Sequence, residues 1–459
     1  MAVPAPTAAD PARGIAWLAE QLANNTRPTV LTVPAPLAPA ERLVTAAGDD
    51  TVVVWETPDG NVYAGVGVAA EATAQGTGRF DAVKTQAIEI FSSLSLRSQG
   101  DGAPSPRLIG GFAFAPGSAD VAPWQGFGDA RFWLPRFAYS KTGDRAWFSL
   151  ALNGHETTEI RKGLAQRAGR LLEGLNSEAS HGEAPSRVPT AFTGDDAHLW
   201  CKSVERILRA IDQGQCKKVV TARRQELRFD EALSPLEALY TLSKTSFSCT
   251  RFAFRTTGST FLGATPERLI QKQGLNLVTE ALAGSTRSGD QQLAADLRNS
   301  QKESEEHGHV VSAIVGSLGS RCSQLTYPEA PEFRELRDIL HLRTPIAGEL
   351  AQPTHILELV DELHPTPAVG GVPTPGAMTW ISENEQSARG WYAAPVGWFD
   401  AEGDGEFVVA LRSGVVEERC AHLYAGAGIV RGSLPENEFR ETQLKLGALL
   451  AALGVKTES

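Results

Sequence analysis

The sequence predicts a large α/β protein, in which β-strands and amphipathic helices are mixed along the whole chain. Its 459 residues are 42% hydrophobic and 21% charged, which is ordinary for a globular protein with a sizeable core. The apolar pattern changes repeatedly from a period of two residues, typical of strands, to the spacing of three and four that is typical of helices. No internal repeat of fixed period interrupts this pattern.

Charge, hydropathy and cysteine content exclude several classes of protein. A net charge of −11 without any basic block argues against nucleic acid as a partner. No apolar run reaches the ~20 residues that a membrane span needs. The first residues also lack the basic and apolar segments of a secretory signal. The five cysteines are scattered and form no CxxC pair, so we expect reduced thiols in a cytoplasmic protein, neither disulfides nor a zinc site.

The first 190 residues predict regular elements but no catalytic constellation. The predicted helices cover 15–22, 80–94 and 158–175, and the predicted strands cover 51–56, 62–68, 108–114, 130–139 and 146–152. We therefore expect residues 1–190 to be a scaffold portion and residues 191–459 to carry the function, both within one integrated domain.

A lysine lies in an otherwise apolar strand of the second part. An amphipathic helix over 200–211 is followed by a strand over 217–223, KKVVTAR. Alternation with period two places Lys218 on the same strand face as Val220 and Ala222. Partial desolvation on such a face would disfavour the charge of the lysine. Alternatively, the lysine begins an edge strand and lies in water.

A glutamate and a corner of small residues follow a predicted hairpin within 251–264. Glu267 comes after a proline at a strand end, where loops commonly hold reacting groups. It could equally form an ion pair with Arg268. Further along, the stretch ALAGS contains Gly284 and Ser285, whose backbone N–H and hydroxyl donors would suit an anion.

Two predicted helices each carry a pair of glutamates on one face. One helix covers 297–318, and the other follows the capping pattern Ser-x-x-Glu that begins at Ser433. The two pairs are Glu303 with Glu306, and Glu438 with Glu441, the latter in line with Lys445. A hard divalent cation such as Mg²⁺ needs carboxylates of this kind. The alternative for each helix is a solvated charged face.

Two further stretches predict contacts to a closely bound or anionic ligand. Arg412 ends the apolar run VALR, in a hairpin predicted over 392–413, and an arginine there needs an anion partner. From Tyr424 the chain reads YAGAGIV, and its alternate glycines allow a backbone to approach a ligand closely. His307, beside the first acidic pair, is expected to be a structural, hydrogen-bonded histidine.

Ten stretches occur in the order seen in chorismate-utilising enzymes. They are KVVTAR, LGATPERL, TEALAGS, KESEEH, LHLRTPI, LHPTPAVGG, YAAPVGW, GEFVVALRSG, YAGAGIV and EFRETQLK. The chain resembles this family over about residues 195–455, most closely its isochorismate synthases. The resemblance implies large stacked antiparallel β-sheets flanked by helices, an active site in a deep cleft, chorismate as the substrate and Mg²⁺ as the cofactor.

The resemblance also implies roles for individual residues. Lys218 resembles the general base that activates water, and Glu267 resembles the general acid. The residues that resemble Mg²⁺ ligands are Glu306 and Glu441 directly, and Glu303 and Glu438 through water. The residues that resemble the substrate-binding groups are Gly284, Ser285, His341, Tyr392, Arg412, Gly426 and Lys445.

Members of this family differ in the nucleophile that they use. Ala283 stands where ammonia-using aminodeoxychorismate synthases often have lysine, and no amidotransferase segment is recognisable. Water is therefore the expected nucleophile. The stretch LHLRTPI is more similar to isochorismate synthases than to salicylate synthases, which go on to eliminate pyruvate. We expect a monomeric isochorismate synthase, an isomerase of menaquinone or siderophore biosynthesis, that needs no amidotransferase subunit. Salicylate synthase and anthranilate synthase component I remain alternatives.

Overall fold

The computed structural model of the protein describes residues 10–456, except for 24, 49, 178–183, 195 and 336–338. Within the regular elements, the side chains of Ser285, Arg287 and Lys302 also lie outside the described part. The helices are α1 (Pro11–Ala23), α2 (Ala40–Thr45), α3 (Arg79–Ser93), α4 (Thr158–Gly174), α5 (Ala197–Asp212), α6 (Pro235–Thr245), α7 (Gln291–Asn299), α8 (Gln301–Gly319), α9 (Ile356–Leu363), α10 (Thr374–Asn384) and α11 (Pro435–Ala452).

The strands are β1 (Thr29–Pro34), β2 (Val52–Glu56), β3 (Val62–Ala74), β4 (Ser95–Ser98), β5 (Leu108–Phe112), β6 (Ala130–Thr142), β7 (Arg145–Leu152), β8 (Ala191–Thr193), β9 (Lys218–Arg228), β10 (Thr250–Thr256), β11 (Ser259–Thr265), β12 (Arg268–Gln273), β13 (Asn276–Arg287), β14 (Cys322–Thr326), β15 (Glu332–Glu335), β16 (Ile339–Leu350), β17 (Gly371–Val372), β18 (Pro395–Phe399), β19 (Gly405–Val409), β20 (Ser413–Glu417) and β21 (Cys420–Val430).

These strands form one hydrogen-bonded network that branches at β6. One arm continues through β3, β2, β10, β11, β20 and β21 to β9. The other arm continues through β5, β18, β19, β12 and β13 to β16. Every pairing along both arms is antiparallel. The result is a large antiparallel sheet flanked by helices, as the family resemblance implies.

The sheet curls over a core of aromatic side chains. Strands β3 and β2 separate β6 from β10, which is roughly 14 Å at about 4.8 Å per strand. The ring centroids of Trp133 on β6 and Phe254 on β10 are nevertheless only 6.2 Å apart. Trp391, which precedes β18 of the other arm, packs on both Phe254 and Phe261. The two arms therefore face each other across this core.

Both faces of the central strands are buried. On β2, Val53 and Trp55 belong to the aromatic core, whereas Val52 and Val54 belong to a second core on the opposite face. Helices α3, α5, α8, α9 and α10 cover the first core, and α1, α2, α4, α6 and α11 cover the second. Burial of both faces explains why several strands are continuous apolar runs in the sequence.

The scaffold portion and the later portion are joined by strand pairing and by common hydrophobic cores. Strand β2 pairs with β10, and β5 pairs with β18. In each pair, one strand precedes residue 190 and its partner follows it. Within the described ranges, no helix has the length and hydropathy that a membrane span requires.

The helix predicted over 297–318 is interrupted. Ser300 has an extended backbone and separates α7 from α8. Its hydroxyl accepts a hydrogen bond from the N–H of Glu303, which caps the first turn of α8. The first acidic pair therefore begins at a helix N-terminus, where negative charge is favoured.

The start of α11 also differs from the prediction. Its N-cap is Leu434, and no side-chain cap is present there. The hydroxyl of Ser433 accepts instead from the N–H of Val430, because it closes the turn that ends β21. The apolar residues of this helix, Leu444, Leu446, Leu449 and Leu450, predict one buried face, but Leu444 is 50% exposed. It lies two residues, or roughly 200° around the helix, from the buried Leu446.

Candidate active site

A cavity opens where the ends of the two arms meet. Strands β9 and β21 line one side, β13 and β16 line the other, and the segment between β19 and β20 closes it. The empty space within it is about 830 Å³, including the solvent at its mouth. Among the described residues, all those that line it follow residue 190. The predicted site residues that line it are Lys218, Glu267, Gly284, Glu306, His341, Tyr392, Arg412, Gly426, Glu441 and Lys445.

Lys218 occupies an interior position of the sheet. Strand β9 pairs there with Val430 on one side and Val372 on the other, which excludes an exposed edge strand. The side chain is 1% exposed, and its Nζ lies 2.7 Å from Oε1 of Glu306. Gly428 makes room for this pair, because a Cβ there would lie 2.9 Å from Cε of Lys218 and 3.0 Å from the same carboxylate oxygen.

Glu267 is buried directly after β11 and is held in its neutral form. Burial, followed by the negative charge of Glu280, raises the pKa of Glu267 to about 8, although the two cavity lysines act in the opposite direction. The ion pair with Arg268 that the sequence left open is not formed, since that guanidinium binds Oε1 of Glu406 at 3.1 Å. A carboxyl group in this state can donate a proton at neutral pH.

Arg412 supplies positive charge to the cavity. The sequence predicted Arg412 within a strand, but it lies between β19 and β20. Its φ is 49°. Ala393, which also lines the cavity, has a φ of 59°, and such left-handed non-glycine residues are common at functional sites. Burial lowers the pKa of Arg412. Among the described residues no carboxylate pairs with it, so its guanidinium is available to an anionic ligand.

Lys445 connects α11 to β21. Its Nζ lies 2.6 Å from Oε1 of Glu441 and donates to the carbonyl oxygen of Gly426 at 2.9 Å. A Cβ on Gly426 would lie 3.4 Å from the hydroxyl of Tyr392, whose ring stacks on Tyr424 with centroids 5.2 Å apart. The glycine therefore leaves room beside a tyrosine hydroxyl and an ammonium group.

The two histidines near the cavity have different surroundings. Burial, assisted by the positive charge of Arg412, lowers the pKa of His341 to about 3, so this ring is neutral. Its Nε2 is buried and has no hydrogen-bond partner in the part of the chain that is described. His307 instead contacts the carbonyl oxygen of Ala283 at 3.2 Å and the hydroxyl of Thr344 at 2.8 Å. It is structural, as expected from the sequence.

The small-residue corner contains a backbone irregularity. The pairing of β13 with β16 shifts between Ala283 and Ser285, and Gly284 between them has a φ of 79°. A Cβ at this glycine would lie 3.0 Å from Oε2 of Glu303. The conformation and the close approach both require glycine. The predicted role of the Ser285 side chain lies outside the described residues.

The four glutamates predicted to bind metal do not form one tight cluster. Glu306 and Glu441 line the cavity, Glu303 lies beside Gly284, and Glu438 is buried. Among the described residues, no three of their carboxylates approach within 4.8 Å of one another. The two that line the cavity each pair with an ammonium group, of Lys218 and of Lys445. Both positions therefore already accommodate a cation, and an all-oxygen donor set fits Mg²⁺.

Sequence reasoning missed a buried ion pair at the cavity wall. Arg389 donates to the carbonyl oxygens of Val369 at 2.8 Å and Val220 at 2.7 Å. The carboxylate of Glu385 pairs with this guanidinium and accepts the N–H of Ala222 at 2.8 Å. The pair thereby ties the loop before β17 to the strand that carries Lys218. Its only signal in the sequence is a Glu–Arg spacing of four, which is common on exposed helices.

Comparison with known proteins extends this description. Residues 18–454 match the family model described as chorismate binding enzyme. Isochorismate synthase MenF of Bacillus subtilis is 35% identical over 389 residues, which cover 82% of this chain and 80% of that protein. The salicylate biosynthesis isochorismate synthase of Pseudomonas aeruginosa is 36% identical over 440 residues, covering 93% and 90%. The structure of MenF, the menaquinone-specific isochorismate synthase from Escherichia coli, superposes with a TM-score of 0.80 at 26% identity, covering 96% of this chain and 99% of that one.

Proposed function

The chain belongs to the family of chorismate-binding enzymes, and on that premise we propose that it is a Mg²⁺-dependent isochorismate synthase. Such an enzyme adds water to C2 of chorismate while the C4 hydroxyl departs. One observation carries the proposal: a buried lysine and a neutral buried glutamic acid line the same cavity. Water is a poor nucleophile and hydroxide a poor leaving group, so the reaction needs both a base and an acid.

The cavity suits a dianionic substrate although the protein as a whole is acidic. Chorismate carries two carboxylates, and the chain has a net charge of −11. Arg412 and Lys445 supply local positive charge, and the Tyr392 hydroxyl beside Gly426 supplies a hydrogen-bond donor. In a low-dielectric cavity these groups attract carboxylates more strongly than they would in water. We assign them to binding and orienting the substrate.

The proton transfers follow from the two buried side chains. Lys218 accepts a proton from the water that bonds to C2, and Glu267 donates its proton to the C4 hydroxyl, which leaves as water while the double bonds shift. Chorismate and isochorismate therefore have the same composition, and the reverse reaction exchanges the two roles. To accept this proton, Lys218 must offer the lone pair of Nζ, and Nζ lies 2.7 Å from Oε1 of Glu306. Glu306 must therefore move away from Nζ before proton transfer.

We assign the Mg²⁺ to α8 and α11. Glu306 and Glu441 would be its direct ligands, and Glu303 and Glu438 would act through water. When bound, the ion would neutralise charge on the ring carboxylate of the substrate. A role as metal ligand also gives Glu306 a partner other than Lys218.

Product analysis tests the proposed reaction. The purified protein is incubated with chorismate and Mg²⁺, without ammonia or any partner subunit, and the products are separated by chromatography and identified by mass. Isochorismate is the expected product. Salicylate with pyruvate as the main product would identify a salicylate synthase instead, and anthranilate formed on addition of ammonium would identify an anthranilate synthase component I. No turnover of chorismate would contradict all three.

The pathway and the assembly are further parts of the proposal. Relatives are named for menaquinone-specific and salicylate biosynthesis, which supports menaquinone or siderophore biosynthesis as the destination of the product. We propose a cytoplasmic monomer that acts on a small molecule without an amidotransferase subunit. Light scattering of the purified protein tests the monomeric state.

A further inference from the structure

Three side chains with metal-binding atoms meet on β9 and β21, outside the cavity. Glu226, Cys420 and His422 each offer one ligand atom, and these atoms all lie within 4.8 Å of one another. Among the described residues, no other set of three His, Cys, Asp or Glu side chains does so. The spacing of the cysteines predicted no zinc site. It could not reveal this cluster, because Glu226 belongs to a strand far away in the sequence.

The antiparallel register explains why the three side chains converge. His422 pairs directly with Glu226, and Cys420 pairs with Arg228. Directly paired residues project to the same face of a sheet, and so do residues two apart on one strand. Cys420 and His422 therefore project to the same side as Glu226.

The separations within this cluster are close to those of metal ligands. Oε2 of Glu226 lies 3.6 Å from Nδ1 of His422, whereas Sγ of Cys420 lies 3.5 Å from the other ring nitrogen, Nε2. Bonds of about 2.0–2.3 Å in a tetrahedral Zn²⁺ site space the ligand atoms roughly 3.3–3.6 Å apart. One ligand atom from each of the three residues lies within 4.8 Å of the other two, so these atoms would have to approach one another by roughly 1 Å to hold an ion.

One ring nitrogen of His422 is left without a partner. Its Nε2 lies 3.0 Å from Oε2 of Glu417, but its Nδ1 is buried and has no hydrogen-bond partner among the described residues. The ring is 7% exposed. A carboxylate on one ring nitrogen commonly orients a histidine whose other nitrogen binds a metal. Glu417 is placed to orient the ring in this way.

The charges around the cluster leave one carboxylate oxygen available. Oε1 of Glu226 accepts a hydrogen bond from Nε of Arg228 at 2.9 Å, whereas Oε2 faces His422. The guanidinium of Arg224 is a second nearby cation. Once a metal has displaced the proton of Cys420, its thiolate and the carboxylates of Glu226 and Glu417 carry more negative charge than these two arginines balance. Cys420 and Glu226 are only partly buried, so an ion can reach them from solvent.

We propose that Glu226, Cys420 and His422 bind a divalent cation of the Zn²⁺ class, at a site separate from the proposed Mg²⁺ site. A mixed sulfur, nitrogen and oxygen donor set suits Zn²⁺, and water completes the coordination. Mg²⁺ is disfavoured because it prefers oxygen ligands. The site lies roughly 20 Å along β21 from Gly428, at about 3.4 Å per residue. The ion joins β9 to β21 and stabilises the folded chain.

Cobalt spectroscopy of the full-length protein tests the site. The protein is stripped with a chelator and titrated with Co²⁺, which reports a thiolate ligand through a charge-transfer absorption band. One equivalent of Co²⁺ should produce the band, and Zn²⁺ should abolish it by displacement, whereas excess Mg²⁺ should not. Zn²⁺ should also raise the Tm. Cys420→Ser should remove the band, and His422→Gln and Glu226→Gln should each weaken Zn²⁺ binding at least about tenfold.

Cys322→Ser is the matched control, because this half-buried strand thiol belongs to no such cluster in the described residues. It should keep the band and the affinity. Should the site variants fail to fold, alkylation of the wild-type protein gives the answer: Zn²⁺ should protect Cys420 but not Cys322, as read by peptide mass. The proposal is wrong if no thiolate band forms, if the band survives in Cys420→Ser, or if Zn²⁺ leaves alkylation of Cys420 unchanged.

Discussion

At the scale of single residues, two buried side chains with opposite proton requirements face one cavity. A base must give up its proton before the reaction, whereas an acid must keep its own. Lys218 is almost fully buried, and burial keeps Glu267 protonated at neutral pH. The environment of Glu267 thus sets its protonation state, which its place in the sequence does not reveal.

Removal of either group should slow the reaction much more than it weakens binding. We expect Lys218→Ala and Glu267→Gln each to lower kcat by at least about two orders of magnitude, because a positioned acid or base contributes roughly 10²–10⁴. Affinity for chorismate, measured by calorimetry, should change far less. Lys217→Ala is the control, because Lys217 is exposed and precedes β9. An inactive Lys217→Ala beside an active Lys218→Ala would refute the assignment.

The burial of Glu267 should also be visible in stability. Its pKa is about 8 in the folded protein and near its ordinary value of 4.5 when unfolded. Between these values the folded state binds the extra proton, so stability should fall as pH rises to about 8 and then remain level. Glu267→Gln has no such proton to lose. Its free energy of unfolding should therefore exceed that of the wild type by a few kcal/mol at pH 8, but not at pH 4. Denaturant unfolding at several pH values measures this. A stability difference that does not depend on pH would contradict it.

At the scale of elements, helices α8 and α11 bring acidic groups to the cavity from two sides. Strand β21 pairs with β9, and its Gly428 leaves room for the side chains of Lys218 and Glu306. Only one face of α8 and of α11 carries these carboxylates. A substitution on the opposite face of either helix should therefore leave the cavity unchanged.

The acidic pairs should control the metal dependence of the reaction. We expect Glu306→Gln or Glu441→Gln to abolish Mg²⁺-dependent turnover without loss of fold, because each removes one carboxylate ligand. Initial rates across Mg²⁺ concentrations and circular dichroism provide the two measurements. Glu305→Gln on the exposed side of α8 is the matched control and should behave like the wild type. Near-normal rates and Mg²⁺ dependence in both ligand variants would mean that the ion binds elsewhere.

Gly428 on β21 should matter more for rate than for stability. A methyl group there would meet the ends of the Lys218 and Glu306 side chains, which can move at small cost but lose their positions. We expect Gly428→Ala to lower kcat by roughly 10–100-fold, as small misplacements of reacting groups do, and to change stability by about 1 kcal/mol or less. Gly447→Ala, in an uncrowded part of α11, is the control for kcat and Tm. Full activity of Gly428→Ala would show that the lysine needs no such space.

At the scale of the whole molecule, the active-site cavity depends on the closure of a branched sheet. Its two walls belong to the ends of different arms, and those arms meet through an aromatic core. The scaffold portion contributes no residue that lines the cavity, within the described ranges, yet its strands join the arms. Placement of the site therefore depends on chain far from the chemistry.

A fragment that begins at residue 191 should not fold on its own. It would lose β2 and β5, which leaves the paired edges of β10 and β18 open, and would lose much of both cores. We expect no cooperative thermal transition and no turnover of chorismate, measured by circular dichroism and product analysis. Co-expression with residues 1–190 should restore part of both. A folded and active fragment would instead make the scaffold portion a separate domain.

The sequence by itself determined what depends on short stretches of chain. Most of the strands and helices predicted from local periodicity lie within a few residues of the observed bounds, whereas β1, α2, α6, α9 and α10 were not predicted. Family membership follows from ordered motifs, and the alternation around Lys218 correctly placed it with Val220 and Ala222 on one face. These features could be predicted because their physical causes, side-chain alternation and spacing along one element, are complete within the element itself.

Only the tertiary structure decided what depends on pairs of distant residues. The sequence assigned the hydroxyl of Ser433 to a helix cap, but it accepts a hydrogen bond from the N–H of Val430 in the turn at the end of β21. The ion pair of Arg389 and Glu385 is recognisable as structural only from its hydrogen bonds to β9. The metal-binding cluster on β9 and β21 depends on the register of these two strands. Hydrogen bonding and burial act through space, so a side chain's partner and protonation state are set by neighbours that sequence separation does not reveal.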